Sequence, residues 1–224
     1  MNRVHSQIVM LLVLLLGMTA NGQEKQALVG GTLINGLGGS PIYDSVILIN
    51  GDVIEKVGSV DTLEVPDDYK VVSTEAMSVL PGLWDMHVHL MLTGHADYSQ
   101  WHPNYADRFA PEIMPASALQ LLLAGVTSAR DLGAPLEDTL TVKRRLETGE
   151  IYGPRMFWSG PFIQKAPYPG TEDYRWGIEG VADARQKVRT LAQAGMDVIK
   201  LIDHDLMTIA EGKAIVAEAH KYNL

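Results

Sequence analysis

The sequence predicts an α/β protein in which a small β module precedes a parallel sheet with crossover helices. Between Ala27 and Leu80, short β-branched segments alternate with turn signals, which is typical of strands joined by tight loops. After Pro81-Gly82 the pattern changes to strand and helix in alternation, four times over. Because parallel neighbours need a crossover connection, four such units favour either a small open sheet or half of an eight-stranded barrel.

The β module contains one hairpin and several shorter strands. Residues 28–33 are mostly apolar and precede glycine-rich turn signals. Residues 46–49 and 53–57 flank Asn50-Gly51, a dipeptide preferred in two-residue hairpin loops, so we predict that these two segments pair. Two further short strands are predicted, at residues 71–72 and 78–80.

The second part begins with a strand and ends with a helix. The predicted strands are residues 83–90, 126–132, 156–162 and 197–202, and the predicted helices are residues 117–124, 137–148, 181–194 and 208–222. A glycine directly follows each of the first three helices, as expected of a helix C-terminus. Thr208 and Glu211 have the spacing of a capping box at the start of the last helix.

Residues 1–22 are predicted to be a signal peptide. Arg3 supplies a positive charge, residues 8–16 form an apolar run, and small or polar residues follow. The alternative is a membrane anchor, but a spanning helix needs about 20 apolar residues and this run is shorter. We therefore expect export to the periplasm or the extracellular space, with no stable membrane anchor after cleavage.

Composition excludes several classes of function. The net charge is -9 and the sequence contains no cluster of basic residues, so binding to nucleic acid is not expected. The chain contains no cysteine, which excludes disulfides, a lipid-modified cysteine and thiolate metal sites. Any metal ion must therefore be held by histidine or by oxygen ligands.

The strongest chemical signal is the pair His87 and His89. Side chains two residues apart on a strand point to the same face, so both imidazoles can bind one metal ion. Asp85 shares that face and could orient a ligand. A bare His-x-His triplet is a weak motif, but here it follows a Pro-Gly turn and lies on an apolar strand.

Lys200 is the second candidate ligand. It is flanked by apolar residues, 198–199 and 201–202, in the fourth predicted strand, where a low dielectric favours the neutral, reactive amine. The alternative is a lysine that extends its head group to solvent, and the residues alone favour that alternative.

Other polar residues allow two interpretations each. Arg130 and Asp131, at the end of the second strand, could form a structural ion pair or contact a substrate. His95 and His102 fall in the segment after the first strand, which could be a lid or a plain surface loop. His204 could line a pocket or lie in a solvated loop.

The segment from Pro81 to His89 resembles the first-strand signature of the amidohydrolase superfamily. Residues 125–133, 153–160 and 195–200 are similar, in order, to the following strands of that family. The most similar branch combines imidazolonepropionase-like enzymes with secreted prolidase-like dipeptidases. The resemblance implies the first half of a TIM-like (β/α)8 barrel at residues 81–224, preceded by part of a small β-sandwich at residues 23–80.

The resemblance also implies a metal-dependent hydrolase of C–N bonds. Its ligands would be His87, His89 and a carboxylated Lys200, around one or two divalent ions; zinc is favoured, and manganese or iron is compatible. Asp85, Arg130 and Asp131 would support the ligands or contact the substrate. The implied substrates are N-acyl amino acids, dipeptides or cyclic amides, which a metal-activated water attacks. The protein could also form an oligomer.

The same family pattern places further residues beyond Leu224. These are histidines on the fifth and sixth strands and a general-base aspartate on the eighth, so no catalytic residue is expected within this chain. We expect a fragment that is inactive alone. The alternatives are a non-catalytic exported binding protein with this fold, and a deaminase-type member with one metal ion and an uncarboxylated Lys200.

Overall fold

A computed structural model describes residues 24–92 and 98–224 of the chain. It divides into two compact units, the first ending at Pro81 and the second beginning at Gly82. The predicted signal peptide and His95 lie outside the described residues. Within the described ranges, no helix combines the length and apolar character needed to cross a membrane.

The first unit is a five-stranded sheet with the order β3-β2-β1-β4, in which β5 also pairs with β1. Its strands are β1 (Lys25–Leu33), β2 (Ile42–Asn50), β3 (Val53–Ser59), β4 (Lys70–Ser73) and β5 (Ser78–Val79). The predicted hairpin is confirmed: β2 and β3 are antiparallel, and Asn50 pairs with Val53 across a turn in which Gly51 has a φ of 61°. Ala27, Val46, Leu48 and Tyr69 form its small core.

The described residues of the second unit form two sheets and five α-helices. Strands β6 (Leu83–Val88), β7 (Val126–Asp131) and β8 (Arg155–Trp158) form a parallel sheet in that order, and β9 (Phe162–Gln164) pairs in parallel with β10 (Arg175–Gly177). The helices are α1 (Tyr98–Tyr105), α2 (Met114–Leu123), α3 (Leu136–Glu147), α4 (Gly180–Gln193) and α5 (Ile209–Ala219).

The four predicted helices are confirmed, with shifts of a few residues at their ends. Glycines in the left-handed region follow α2, α3 and α4, with φ values of 85° at Gly125, 71° at Gly149 and 76° at Gly195. Helix α5 begins with the predicted capping box. The Glu211 N–H donates to Thr208 Oγ1 at 3.2 Å, and the Thr208 N–H donates to Glu211 Oε2 at 2.8 Å.

The third and fourth predicted strands need correction. The third ends at Trp158, because Gly160 has a φ of 62° and Pro161 has no N–H to donate. Residues 197–202 are not a regular strand, and only one isolated bridge, between Ile163 and Leu201, joins them to β9. The Ile163 N–H still donates to Lys200 O at 2.9 Å, so this segment is held beside β9.

The segment after the first strand is also more ordered than a surface loop. Residues 98–113 form α1 and two short helical turns, and Phe109 is fully buried. Its ring belongs to the core of the second unit, together with Met114, Trp158 and Leu191. Burial of this aromatic surface explains why the segment folds against the helices instead of remaining solvated.

Candidate metal centre

The two histidines of the predicted site meet at the carboxyl end of β6. The Nε2 atoms of His87 and His89 are 3.3 Å apart, and their rings lie edge to face with centroids separated by 5.2 Å. His87 is exposed, whereas His89 is half-buried. The alternation of side chains along a strand therefore brings both imidazoles to one point, as the sequence predicts.

The turn after β7 orients the ring of His89. Its Nδ1 lies 3.4 Å from the carbonyl oxygen of Gly133, and the ring packs edge-on against Phe162 at a centroid distance of 6.2 Å. A Cβ on Gly133 would lie 2.3 Å from a carbon of the Phe162 ring, so glycine allows this close approach. When Nδ1 carries the proton towards the carbonyl, the lone pair of Nε2 faces His87.

His89 is neutral at physiological pH. Burial is the main cause that lowers the pKa of His89 to about 4; the contact with the Gly133 carbonyl opposes this effect, and the nearby basic groups of His87, Lys200 and Arg175 add to it. A metal ion binds the neutral form of imidazole, so this environment suits a ligand.

The distance between the two nitrogens fits a metal ion. Two imidazoles bound to tetrahedral zinc at about 2.0–2.1 Å place their nitrogens roughly 3.3 Å apart. The observed separation is 3.3 Å. Across residues 24–92 and 98–224, no group of three or more His, Cys, Asp or Glu side chains assembles around a common point.

Lys200 is half-buried and lies within electrostatic range of the pair. Its positive charge contributes to the lowered pKa of His89. In the part of the chain that the structure describes, its ammonium forms no ion pair. The position is compatible with either alternative for this lysine, a ligand or a solvated head group.

Asp85 and Arg130 contact the backbone of β6 and not the imidazoles. Asp85 Oδ1 accepts from the His87 N–H at 3.0 Å and so holds the main chain at that residue. Arg130 Nε donates to the carbonyl of Met86 at 2.9 Å. Within the described residues Arg130 does not pair with Asp131, because successive side chains on a strand point to opposite faces.

Asp131 is buried beneath the site. Its Oδ1 accepts from the Gly133 N–H at 3.1 Å, which fixes the turn that positions His89, and its Oδ2 has no hydrogen-bond partner in the described part of the chain. Burial raises the pKa of Asp131 to about 7, and the backbone N–H groups of Gly133 and Leu90 partly oppose the increase. A buried carboxyl group whose pKa is raised towards neutrality is typical of functional sites.

His102 and His204 lie in different environments. His102 is buried in α1, where its Nε2 lies 2.7 Å from Asp173 Oδ2 and its ring lies 4.8 Å from that of Tyr174. Neither a lid nor a surface loop describes this packed histidine. His204 is exposed in a short helical turn after residues 197–202.

Sequence reasoning missed the cavity beside the histidine pair. A cavity of about 340 Å³ is lined by His89 and by residues of β9, β10 and their connection, including Phe162, Tyr174 and Arg175. The only signal in the sequence was the run Tyr174-Arg175-Trp176, in which large rings flank a cation within a polar segment.

Comparisons with known proteins agree with this architecture. The profile of the Amidohydrolase family matches residues 78–223. A putative prolidase from Bifidobacterium longum is 26% identical, with a TM-score of 0.71 over 91% of this chain and 48% of the other. Phenylurea hydrolase B (20% identity, TM-score 0.76, 90% of this chain and 54% of the other) and molinate hydrolase (21%, 0.73, 91% and 53%) share the fold.

The chain spans about half the length of these solved structures. The comparison with curated protein sequences gives no match. The predicted α/β fold class is confirmed, and the described part of the second unit forms an open portion of a barrel and not a closed one.

Proposed function

The chain belongs to the amidohydrolase family, and on that basis we propose that the protein containing it is a metal-dependent hydrolase of C–N bonds in small substrates. The observation that carries this proposal is the convergence of His87 and His89, whose Nε2 atoms are 3.3 Å apart at the carboxyl end of β6. Active sites of parallel barrels lie at that end of the strands.

The residues of this chain hold and orient the ligands. The Gly133 carbonyl selects the tautomer of His89, and Asp131 fixes the turn that carries this carbonyl. Asp85 holds the backbone at His87. A bound divalent ion supplies Lewis acidity at the scissile carbonyl and an activated water. Zinc suits this nitrogen pair best, and manganese or iron is compatible.

Lys200 is the proposed third ligand. Addition of carbon dioxide to its neutral amine forms a carbamate and releases a proton, which turns a cation into a hard anionic oxygen ligand for one or two ions. Its half-buried position and its electrostatic effect on His89 support this role.

The proposed substrates are N-acyl amino acids, dipeptides and cyclic amides. A cavity of about 340 Å³ beside His89 has the size of a small-molecule site. The similarity to a prolidase of Bifidobacterium longum supports a peptide-like substrate. We further propose that the protein is exported by its N-terminal segment and that its partners are such small molecules.

The test measures metal content and amide hydrolysis by the purified protein that contains this chain. We expect hydrolysis that disappears with a chelator and returns with zinc. His89→Ala should abolish both bound metal and turnover, while His220→Ala, which changes an exposed histidine after α5, should preserve both. Substrate binding without metal or turnover would support a binding protein instead. Full retention of one metal ion in Lys200→Ala would support the mononuclear alternative.

A further inference from the structure

The described lining of the cavity beside His89 contains a cationic side chain and no carboxylate. Its lining consists of aliphatic and aromatic side chains together with His89 and Arg175. Among the described residues, no carboxylate contributes to this lining. A cation that faces a cavity whose described lining contains no carboxylate attracts an anionic ligand.

Arg175 is rigidly held in this position. Only 7% of its surface is exposed, and its guanidinium stacks on the rings of Tyr168 at 4.6 Å, Phe162 at 4.8 Å and Tyr174 at 5.3 Å. Its backbone pairs with Phe162 in the sheet formed by β9 and β10. On its other side, the bond between Asp173 and His102 anchors the same segment to α1.

The hydrogen-bonding capacity of Arg175 is largely unused. Nη1 donates to Gln164 Oε1 at 3.1 Å, but the buried Nε has no hydrogen-bond partner among the residues that the structure describes. Within residues 24–92 and 98–224 the guanidinium forms no ion pair. Burial of a charge with free donors is costly, and an anionic ligand would supply the missing acceptors.

We propose that Arg175 binds a free carboxylate of the substrate, while the scissile carbonyl lies at the histidine end of the cavity. The planar guanidinium presents parallel donors that match a carboxylate. The inference rests on the proposed hydrolase function and narrows it. N-acyl amino acids and dipeptides carry the required anion, whereas neutral cyclic amides do not and are excluded as good substrates.

The test compares two probes that have no cleavable bond, 4-methylpentanoate and the neutral 4-methylpentan-1-ol, by isothermal titration calorimetry on the protein as purified. Wild type should bind the carboxylate about 10- to 100-fold more tightly, the range expected for a hydrogen bond to a charged group. Arg175→Met should abolish this preference, and Arg175→Lys should reduce it. Arg144→Met, which changes an exposed arginine of α3, should leave it intact.

The outcomes separate this inference from the proposed function. Equal affinity of wild type for both probes overturns the carboxylate subsite, as does a preference that survives in Arg175→Met because a metal ion holds the anion. Should Arg175→Met fail to fold, the wild-type preference and its reduction in Arg175→Lys decide the question. A preference that depends on Arg175 in a protein without hydrolase activity would sustain the subsite and refute the hydrolase. Amide hydrolysis by a wild-type protein that binds both probes equally would support the hydrolase function and refute the carboxylate subsite.

Discussion

Replacement of Asp131 by asparagine should make the stability of the protein less dependent on pH. The pKa of this buried carboxyl is raised from its usual 3.8 to about 7. A raised folded-state pKa means that the folded protein holds the proton more tightly than the unfolded chain. The associated stability is therefore fully present below about pH 4 and is lost as the pH rises through about 7.

The magnitude follows from the size of the shift. About three pH units, at about 1.4 kcal/mol per unit, correspond to a contribution of about 4 kcal/mol from this carboxyl to the unfolding free energy, which is lost between pH 4 and pH 8. An asparagine side chain at this position would keep the oxygen that accepts from the Gly133 N–H but cannot ionise, so the variant avoids this loss. Asp131→Asn should gain stability relative to wild type as the pH rises.

Urea unfolding at several pH values between 4 and 8.5 measures this difference. Asp205→Asn, at an exposed position, controls for the removal of one negative charge. Parallel curves of unfolding free energy against pH for wild type and Asp131→Asn would refute the reasoning. They would mean that the pKa of Asp131 does not differ between the folded and unfolded states.

Three further substitutions test the turn and the helices. Gly133→Ala would place a methyl group 2.3 Å from a Phe162 ring carbon, so we expect a loss of about 1–3 kcal/mol in urea unfolding and weaker zinc binding by calorimetry. Gly212→Ala, in α5 with open space around it, should instead stabilise the protein by about 0.5–1 kcal/mol in the same unfolding assay. Thr208→Ala removes the cap that accepts from the Glu211 N–H and should lower the unfolding free energy by about 1 kcal/mol. The steric argument would be contradicted if Gly133→Ala left the unfolding free energy unchanged, or if Gly133→Ala and Gly212→Ala changed it equally.

Features encoded by local sequence could be predicted well. The hairpin turn between β2 and β3 depends on Gly51, which adopts the positive φ that the two-residue loop needs, and the capping box of α5 needs only Thr208 and Glu211. Strand geometry also places His87 and His89 on one face, and the turn at Gly133 then orients the ring of His89. These predictions succeed because neighbours along the chain decide the outcome.

Features that depend on distant segments could not be predicted. Arg175 reaches the cavity only because β10 pairs with β9, and no local pattern indicates that pairing. The local sequence around His102 is typical of a surface loop, and its contact with Asp173 involves a segment much later in the chain. Residues 197–202 have the composition of a strand. They do not form a regular one, because Gly160 and Pro161 interrupt the neighbouring strand with which they would pair.

The most direct test of the central claim is zinc binding by the purified protein, measured by metal analysis after dialysis against limiting free zinc. We predict bound zinc in wild type and in His220→Ala, and its loss in both His87→Ala and His89→Ala. Unchanged zinc content in the His87 and His89 variants, with the fold intact by circular dichroism, would contradict the assignment of these residues as metal ligands.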